Sequence, residues 1–177
     1  LNSSYSNVTI LTACYTCTQD GVVTIGTAIN ADANLGSTAY NKLLKIQANS
    51  DINVNFQISL ANSGDGSNYY NTHALELNSA NGNINLGAPV RTQPIATGNY
   101  IGSSVYYSGS ITLSAANGTI SSTSAGVINA SGYNATNAGY SQYAGSINIS
   151  ARNINIASAI TATSNKGDAS FGGDITI

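Results

Sequence analysis

The stretch "GSITLSAANGTI" at residues 109–120 returns thirty-six residues later as "GSINISARNINI" at 145–156. In both, Gly-Ser opens a run in which apolar and small polar residues alternate, a short Asn-containing turn follows, and a second alternating run begins. Alternation with period two is the pattern of a strand with one buried face. Its return at a nearly fixed step is the signature of a repeat architecture.

Working outward from these two stretches, an apolar pair spaced by two recurs as Val8/Ile10, Leu44/Ile46, Leu75/Leu77, Ile111/Leu113, Ile147/Ile149 and Ile175/Ile177, at steps of 36, 31, 36, 36 and 28 residues. A second pair follows as Val23/Ile25, Ile52/Val54, Ile84/Leu86, Ile120 with Ser122, and Ile154/Ile156. A third apolar position comes next, at Ile29, Ile58, Val90, Ile128 and Ile160. Each unit therefore reads as three short strands and a loop of variable length. A fragment of two or three strands is marginal in water, whereas units stacked in register place Ile on Ile and pair each backbone with the layer above or below. The expectation is an all-β parallel β-helix, a solenoid of five coils and the start of a sixth, spanning roughly 25 Å at about 4.8 Å per strand. An antiparallel β-sandwich also has many short strands and Gly-rich turns, but the three-strand grammar favours the β-helix.

Composition agrees with strands and excludes several function classes. The 177 residues carry 7 acidic and 5 basic side chains, a net charge of −2, and 42% are hydrophobic. No basic stripe is present to neutralise phosphates, so nucleic-acid binding has no electrostatic support. Low charge with abundant small and β-branched apolar residues also separates the chain from disordered sequences. No apolar run approaches the length of a membrane-spanning helix, and no signal-like segment opens the chain. The chain stops within the alternating run Asp174-Ile175-Thr176-Ile177, which reads as a piece of something longer; residues 1–177 are expected to form one β-helical domain.

The variable segments "ANSGDGSNYYNTH", "RTQPIATGNYIGSSVYYSGS", "SGYNATNAGYSQYAGS" and "SNKGDASFGGD" all follow the third strand, so they line up on one edge of the solenoid, where length changes leave the core intact. Tyr107, Tyr143 and Phe171 each stand four residues before a leading Ile, with Tyr70 one residue out of step. Successive layers stack them into an aromatic ladder sealing a corner. The functional alternative is that loop tyrosines, especially Tyr69, Tyr100, Tyr106, Tyr133 and Tyr140, present flat faces to a sugar or a partner protein. Asn49, Asn81 and Asn117 fall at the turn between the first two strands, as does Asn153 within a residue or so, where Asn suits turn geometry and stacks its amides. Charge is sparse because like charges stacked in register repel. Lys45 and Glu76 align one unit apart and point outward as an ion pair, worth about 0–1 kcal/mol.

Runs such as "GNINLGAPV", "GSITLSAANGTI", "GVINASG" and "GSINISARNINIASAITA" resemble the shaft repeats of filamentous haemagglutinin-like adhesins, the large exoproteins of bacterial two-partner secretion. The resemblance lies in repeat grammar, is clearest over residues 74–177, and carries no site motif. It implies a right-handed parallel β-helix, export through an outer-membrane secretion partner, display at the bacterial cell surface, and adhesion to host-cell glycans or surface proteins or to other bacteria. A purely structural fibre built by self-association through coil stacking is the alternative.

Cys14 and Cys17 stand two residues apart in "ACYTC". Haem attachment needs His directly after the second Cys, where Thr18 stands; zinc needs more ligands than the single His73 supplies. A thioredoxin-like pair needs a βαβ context. What remains is a local disulfide between Cys14 and Cys17 in an oxidising compartment. An enzyme of the polysaccharide-cleaving β-helix type needs paired carboxylates or an acidic calcium cluster. Asp20, Asp32, Asp51, Asp65, Glu76, Asp168 and Asp174 occupy unrelated repeat positions, so no catalytic residue, metal site or cofactor is assigned. Asn-X-Ser/Thr occurs at Asn2, Asn7, Asn117, Asn129, Asn134 and Asn148, about the chance expectation in a chain with 24 asparagines; glycosylation at Asn117, Asn129, Asn134 or Asn148 is implied by the resemblance alone.

Overall fold

The computed structural model describes residues 7–12, 21–30, 42–60, 69–94, 104–132, 140–164 and 169–177. In chain order the strands are β1 (Val8–Leu11), β2 (Val23–Ile25), β3 (Ile29–Asn30), β4 (Leu43–Ala48), β5 (Ile52–Val54), β6 (Ile58–Ser59), β7 (Tyr69–Asn71), β8 (Ala74–Ser79), β9 (Ile84–Leu86), β10 (Val90–Arg91), β11 (Ser104–Tyr107), β12 (Ile111–Ser122), β13 (Ile128–Asn129), β14 (Tyr140–Tyr143), β15 (Ile147–Ile156), β16 (Ile160–Thr161), β17 (Ala169–Phe171) and β18 (Ile175–Thr176). No helix occurs among the described residues. Every strand pairing is parallel, and the sheets form a β-solenoid.

The registers reproduce the expected columns. Ile10, Ile46, Leu77, Leu113 and Ile149 are successive partners in the broad nine-stranded sheet, and Ile111 pairs with Ile147. The second strands pair Val23 with Ile52, Ile52 with Ile84, Ile84 with Ile120 and Ile120 with Ile154. The five-stranded sheet aligns Ile29, Ile58, Val90, Ile128 and Ile160. Strict alternation buries one face of the interior strands: β4 and β8 both alternate half-buried and buried residues along their length. Ile46, Leu77 and Leu113 have no exposed surface, and Ile149 is buried beside them.

Two details depart from the expected grammar. The Asn-containing turn between the first and second strands is absent from β12 and β15, each of which runs continuously through it. Between Ala151 and Asn153 there is one residue, too few for a turn; residues 116–118 of the facing strand are accommodated as an irregularity between Ala115 and Thr119. Consequently Asn153 stands opposite Thr119 rather than Asn117. The second departure is a fourth strand in each unit from the second to the fifth. β7, β11, β14 and β17, drawn from the variable segments, form a parallel four-stranded sheet of their own on the side of the solenoid.

Outside the core, neighbouring layers exchange side-chain hydrogen bonds in columns. Asn81 Nδ2 donates to Asn49 Oδ1 (3.0 Å), and Asn117 Nδ2 to Asn81 Oδ1 (3.4 Å) and Ala80 O (3.0 Å). Asn83 donates through its backbone N–H to Asp51 Oδ1 (2.7 Å), and its own Oδ1 accepts from Thr119 N–H (2.9 Å). A third column runs from Ser121 Oγ to Asn85 Oδ1 (2.9 Å) and from Asn85 Nδ2 to Asn53 Oδ1 (2.8 Å). The Lys45–Glu76 ion pair is present at 2.6 Å, on half-buried outward side chains.

Candidate functional site

The lateral sheet is the part of the molecule that carries the candidate residues, and its closure explains its position. At the necks of three of the variable segments the backbone returns to the solenoid wall: His73 N–H donates to Leu60 O (3.3 Å), Gly145 N–H to Ala130 O (2.8 Å) and Gly173 N–H to Ala162 O (2.9 Å). Hydroxyls complete the closure. Gly109 N–H donates to the buried Thr72 Oγ1 (2.7 Å), Thr92 Oγ1 donates to Gly109 O (2.6 Å), and Ser108 Oγ to Ser131 O (2.6 Å). At this neck the layers approach so closely that a side chain on Gly145 would overlap Gly109 O, and one on Gly173 would overlap Gly145 O.

The register of the lateral sheet sorts its residues into three columns. Tyr69, Val105, Ser141 and Ala169 are partners, as are Tyr70, Tyr106, Gln142 and Ser170, and as are Asn71, Tyr107, Tyr143 and Phe171. The third column is the expected aromatic ladder. Tyr107 and Tyr143 stack with ring centroids 4.5 Å apart at 12°, and Tyr143 and Phe171 at 4.7 Å and 5°. Tyr107 is 36% exposed, whereas Tyr106 and Gln142 in the adjacent column are buried, so the ladder lies on the outer face of the lateral sheet. Stacked this way, Tyr143 presents its edge outward, because both its faces are covered. Tyr143→Ala deletes both ring contacts and is expected to lower unfolding free energy by about 2 kcal/mol, read as a shift in the urea midpoint at unchanged slope.

Of the five tyrosines proposed to meet a ligand, Tyr106 is corrected: it is 3% exposed. Strand alternation turns it to the inner side of the lateral sheet, in the column of Gln142, so its ring offers no face to solvent. Tyr69 and Tyr140 have backbones in β7 and β14 but fall in different columns, Tyr69 opposite Val105 and Tyr140 opposite Ser104. Tyr100, Tyr133 and Asn134 lie outside the described residues, as do Cys14 and Cys17 with the disulfide expected of them. Among the sequons, Asn129 Nδ2 donates to Gln93 Oε1 (2.8 Å), and Asn117 Nδ2 donates to both Ala80 O and Asn81 Oδ1, so a glycan on Asn117 displaces one of its two hydrogen bonds. Asn148 is exposed in β15.

Two buried polar side chains gave no signal in the sequence. Gln142 is fully buried, and neither its Nε2 nor its Oε1 has a partner among the described residues. His73, the chain's single histidine, is 1% exposed. Its Nδ1 accepts from Lys42 N–H (3.3 Å), which leaves the ring proton on Nε2, where no partner stands among the described residues. Burial, followed by the neighbouring Lys42 charge, pushes its pKa below the ordinary 6.5. The folded form thus binds a proton less readily than the unfolded chain, so stability is greatest above about pH 6.5 and falls as pH drops below it toward the depressed folded value. Urea unfolding at a series of pH values is expected to show that decline, and His73→Gln to remove it.

No group of three or more His, Cys, Asp or Glu among the described residues is placed to hold a metal ion. No protein-family model matches the chain, and no curated protein and no solved structure shows significant similarity to it.

Proposed function

We propose that this chain is a length of right-handed β-helical shaft, of five to six coils, in a secreted adhesin of the filamentous haemagglutinin type displayed at a bacterial surface. The observation that carries the reading is the parallel register of the solenoid: equivalent residues pair from layer to layer across both the broad sheet and the third-strand sheet, with one irregularity at 116–118. Such a structure is quasi-one-dimensional, transmitting length and stiffness while leaving its sides free to vary. Right-handedness is favoured because strand–connection–strand units with parallel pairing take that hand almost without exception. The chemistry of the walls supports a non-enzymatic role, since the outward columns are amides and hydroxyls paired with one another.

Binding to a host-cell glycan or surface protein is assigned to the lateral sheet and its segments, where exposed aromatic rings and variable sequence coincide. The test compares cell and glycan-array binding of the intact chain with a variant whose 91–108 and 132–144 segments are replaced by short Gly-Asn turns. Binding lost with the segments supports the adhesin reading. Binding that is absent from the intact chain, or that survives replacement unchanged, leaves the shaft without a ligand site here.

A further inference from the structure

The tripeptide Ala-Asn-Gly occurs twice, as Ala80-Asn81-Gly82 and Ala116-Asn117-Gly118, at the same place in consecutive layers. Asn followed by Gly is the pair most prone to attack by its own backbone, because glycine puts no side chain beside the attacking nitrogen. Identical local sequence gives the two sites identical intrinsic chemistry. The fold treats them differently.

At the first site both reacting groups are held. Asn81 Nδ2 donates to Asn49 Oδ1 and its Oδ1 accepts from Asn117 Nδ2, so the side chain is tied on both sides. The attacking atom, Gly82 N, donates to the buried Ser79 Oγ (2.9 Å), and that hydroxyl is fixed in turn by donating to Ser50 O (2.7 Å). At the second site the hydroxyl on the attacking nitrogen and the tie to the later layer are missing. The residue that pairs with Ser79 is Ala115, so no hydroxyl awaits Gly118 N. Asn153, which would continue the amide column, stands opposite Thr119, and residues 116–118 have no register partners in β15. The Asn117 side chain is exposed and tied to the preceding layer alone.

We propose that Asn117 is a self-modification site, converting to aspartyl and isoaspartyl residues in the folded protein while Asn81 is protected. Gly118 N loses its proton and bonds to Asn117 Cγ; the Cγ–Nδ2 bond breaks and ammonia leaves, taking up that proton, which closes a succinimide. Water then opens the ring at either carbonyl, to aspartate or to isoaspartate. The product carboxylate has no proton to offer Ala80 O and Asn81 Oδ1, so the end of the amide column is released and one negative charge is added to the wall. The isoaspartyl form adds a backbone carbon at 116–118, which has no register partner in β15 but packs closely on Gly82 O of the preceding layer, so that product also disturbs the contact between these two layers.

The experiment is peptide mapping by mass after incubation of the folded protein at mildly alkaline pH, scoring the mass gain from NH replaced by O at each site, with isoaspartyl labelling as a second readout. In denaturant both sites should convert at equal rates. In the folded protein Asn117 should outpace Asn81 by about fivefold or more, the ratio that one additional hydrogen bond supports, and Ala115→Ser should slow Asn117 by restoring the hydroxyl. Equal rates in the folded protein, faster conversion at Asn81, conversion at neither site, or an Ala115→Ser variant that reacts at the original rate would overturn the proposal.

Discussion

Replacing Leu113 by alanine should lower the unfolding free energy by about 3–5 kcal/mol, the upper part of the range for a fully buried leucine. The side chain has no exposed surface and sits in the middle of the column Ile46, Leu77, Leu113 and Ile149. Its partners above and below are held by the strand register, so they cannot slide inward to fill the space; the residual cavity stays large and its cost is added to the lost transfer energy. Urea unfolding read by circular dichroism gives the test: the midpoint falls at constant slope. Because the layers are coupled mainly to their nearest neighbours, a second transition appearing in the variant would show the solenoid breaking at that layer. A loss below about 1 kcal/mol would show that the interior is not packed as the register requires.

The second large effect is Gly145→Ala, expected to cost about 3 kcal/mol through overpacking. The added methyl would overlap Gly109 O and crowd Gly109 C and Ser108 O, all backbone or near-backbone atoms of the adjacent layer. None of these can rotate away. Relief requires the layers to separate at the neck, where Gly145 N–H donates to Ala130 O and Ser108 Oγ donates to Ser131 O. Hydrogen exchange should localise the damage: protection at Gly145 and neighbouring neck amides falls while that of Leu113 and Leu77 is retained. The contrast is Gly26, where an added side chain meets nothing within 4 Å; Gly26→Ala should leave stability within about 0.5 kcal/mol of the parent.

The solenoid was legible because its information is redundant. Each apolar pair repeats at a near-constant step, and a shift of one residue would turn the whole set to solvent, so alternation alone specifies both face and register. Lys45 and Glu76 were placed correctly for the same reason, as outward residues between inward ones. The lateral sheet was not legible as strands. "YYN", "SVYY", "YSQY" and "ASF" share no apolar alternation, and their pairing is set by the neck hydrogen bonds, which involve backbone groups and hydroxyls that leave no pattern. The ladder through Tyr107, Tyr143 and Phe171 could be read from the constant distance to the next Ile. The same count implies that Tyr106 turns to the side opposite Tyr107, and reading Tyr107 as the sealed residue is what put its neighbour on the wrong face. His73 reads as an ordinary loop residue until closure of the neck buries it. Asn153 was displaced from the amide column because two residues fewer connect the paired runs of β15 than those of β12.

The amide columns carry one more consequence. Gln57 donates to Asn30, Asn81 to Asn49, Asn85 to Asn53, Asn117 to Asn81 and Asn129 to Gln93, and in every one of these bonds the donor belongs to the later layer and the acceptor to the earlier. Backbone bonds between layers run both ways, as Ile52 N–H to Asn83 O and Gly87 N–H to Val54 O show, and their dipoles largely cancel. The side-chain dipoles in these columns add. A wall with almost no formal charge thereby acquires an electrical direction, the amide hydrogens of these columns facing the earlier layers and the amide oxygens the later ones, while Gln93 Nε2 alone among these side chains donates forward, to Gly132 O. A layer arriving on the later side meets a row of acceptors and is accepted in the orientation that brings donors to them, so the columns give the stack a sense of direction as well as a register.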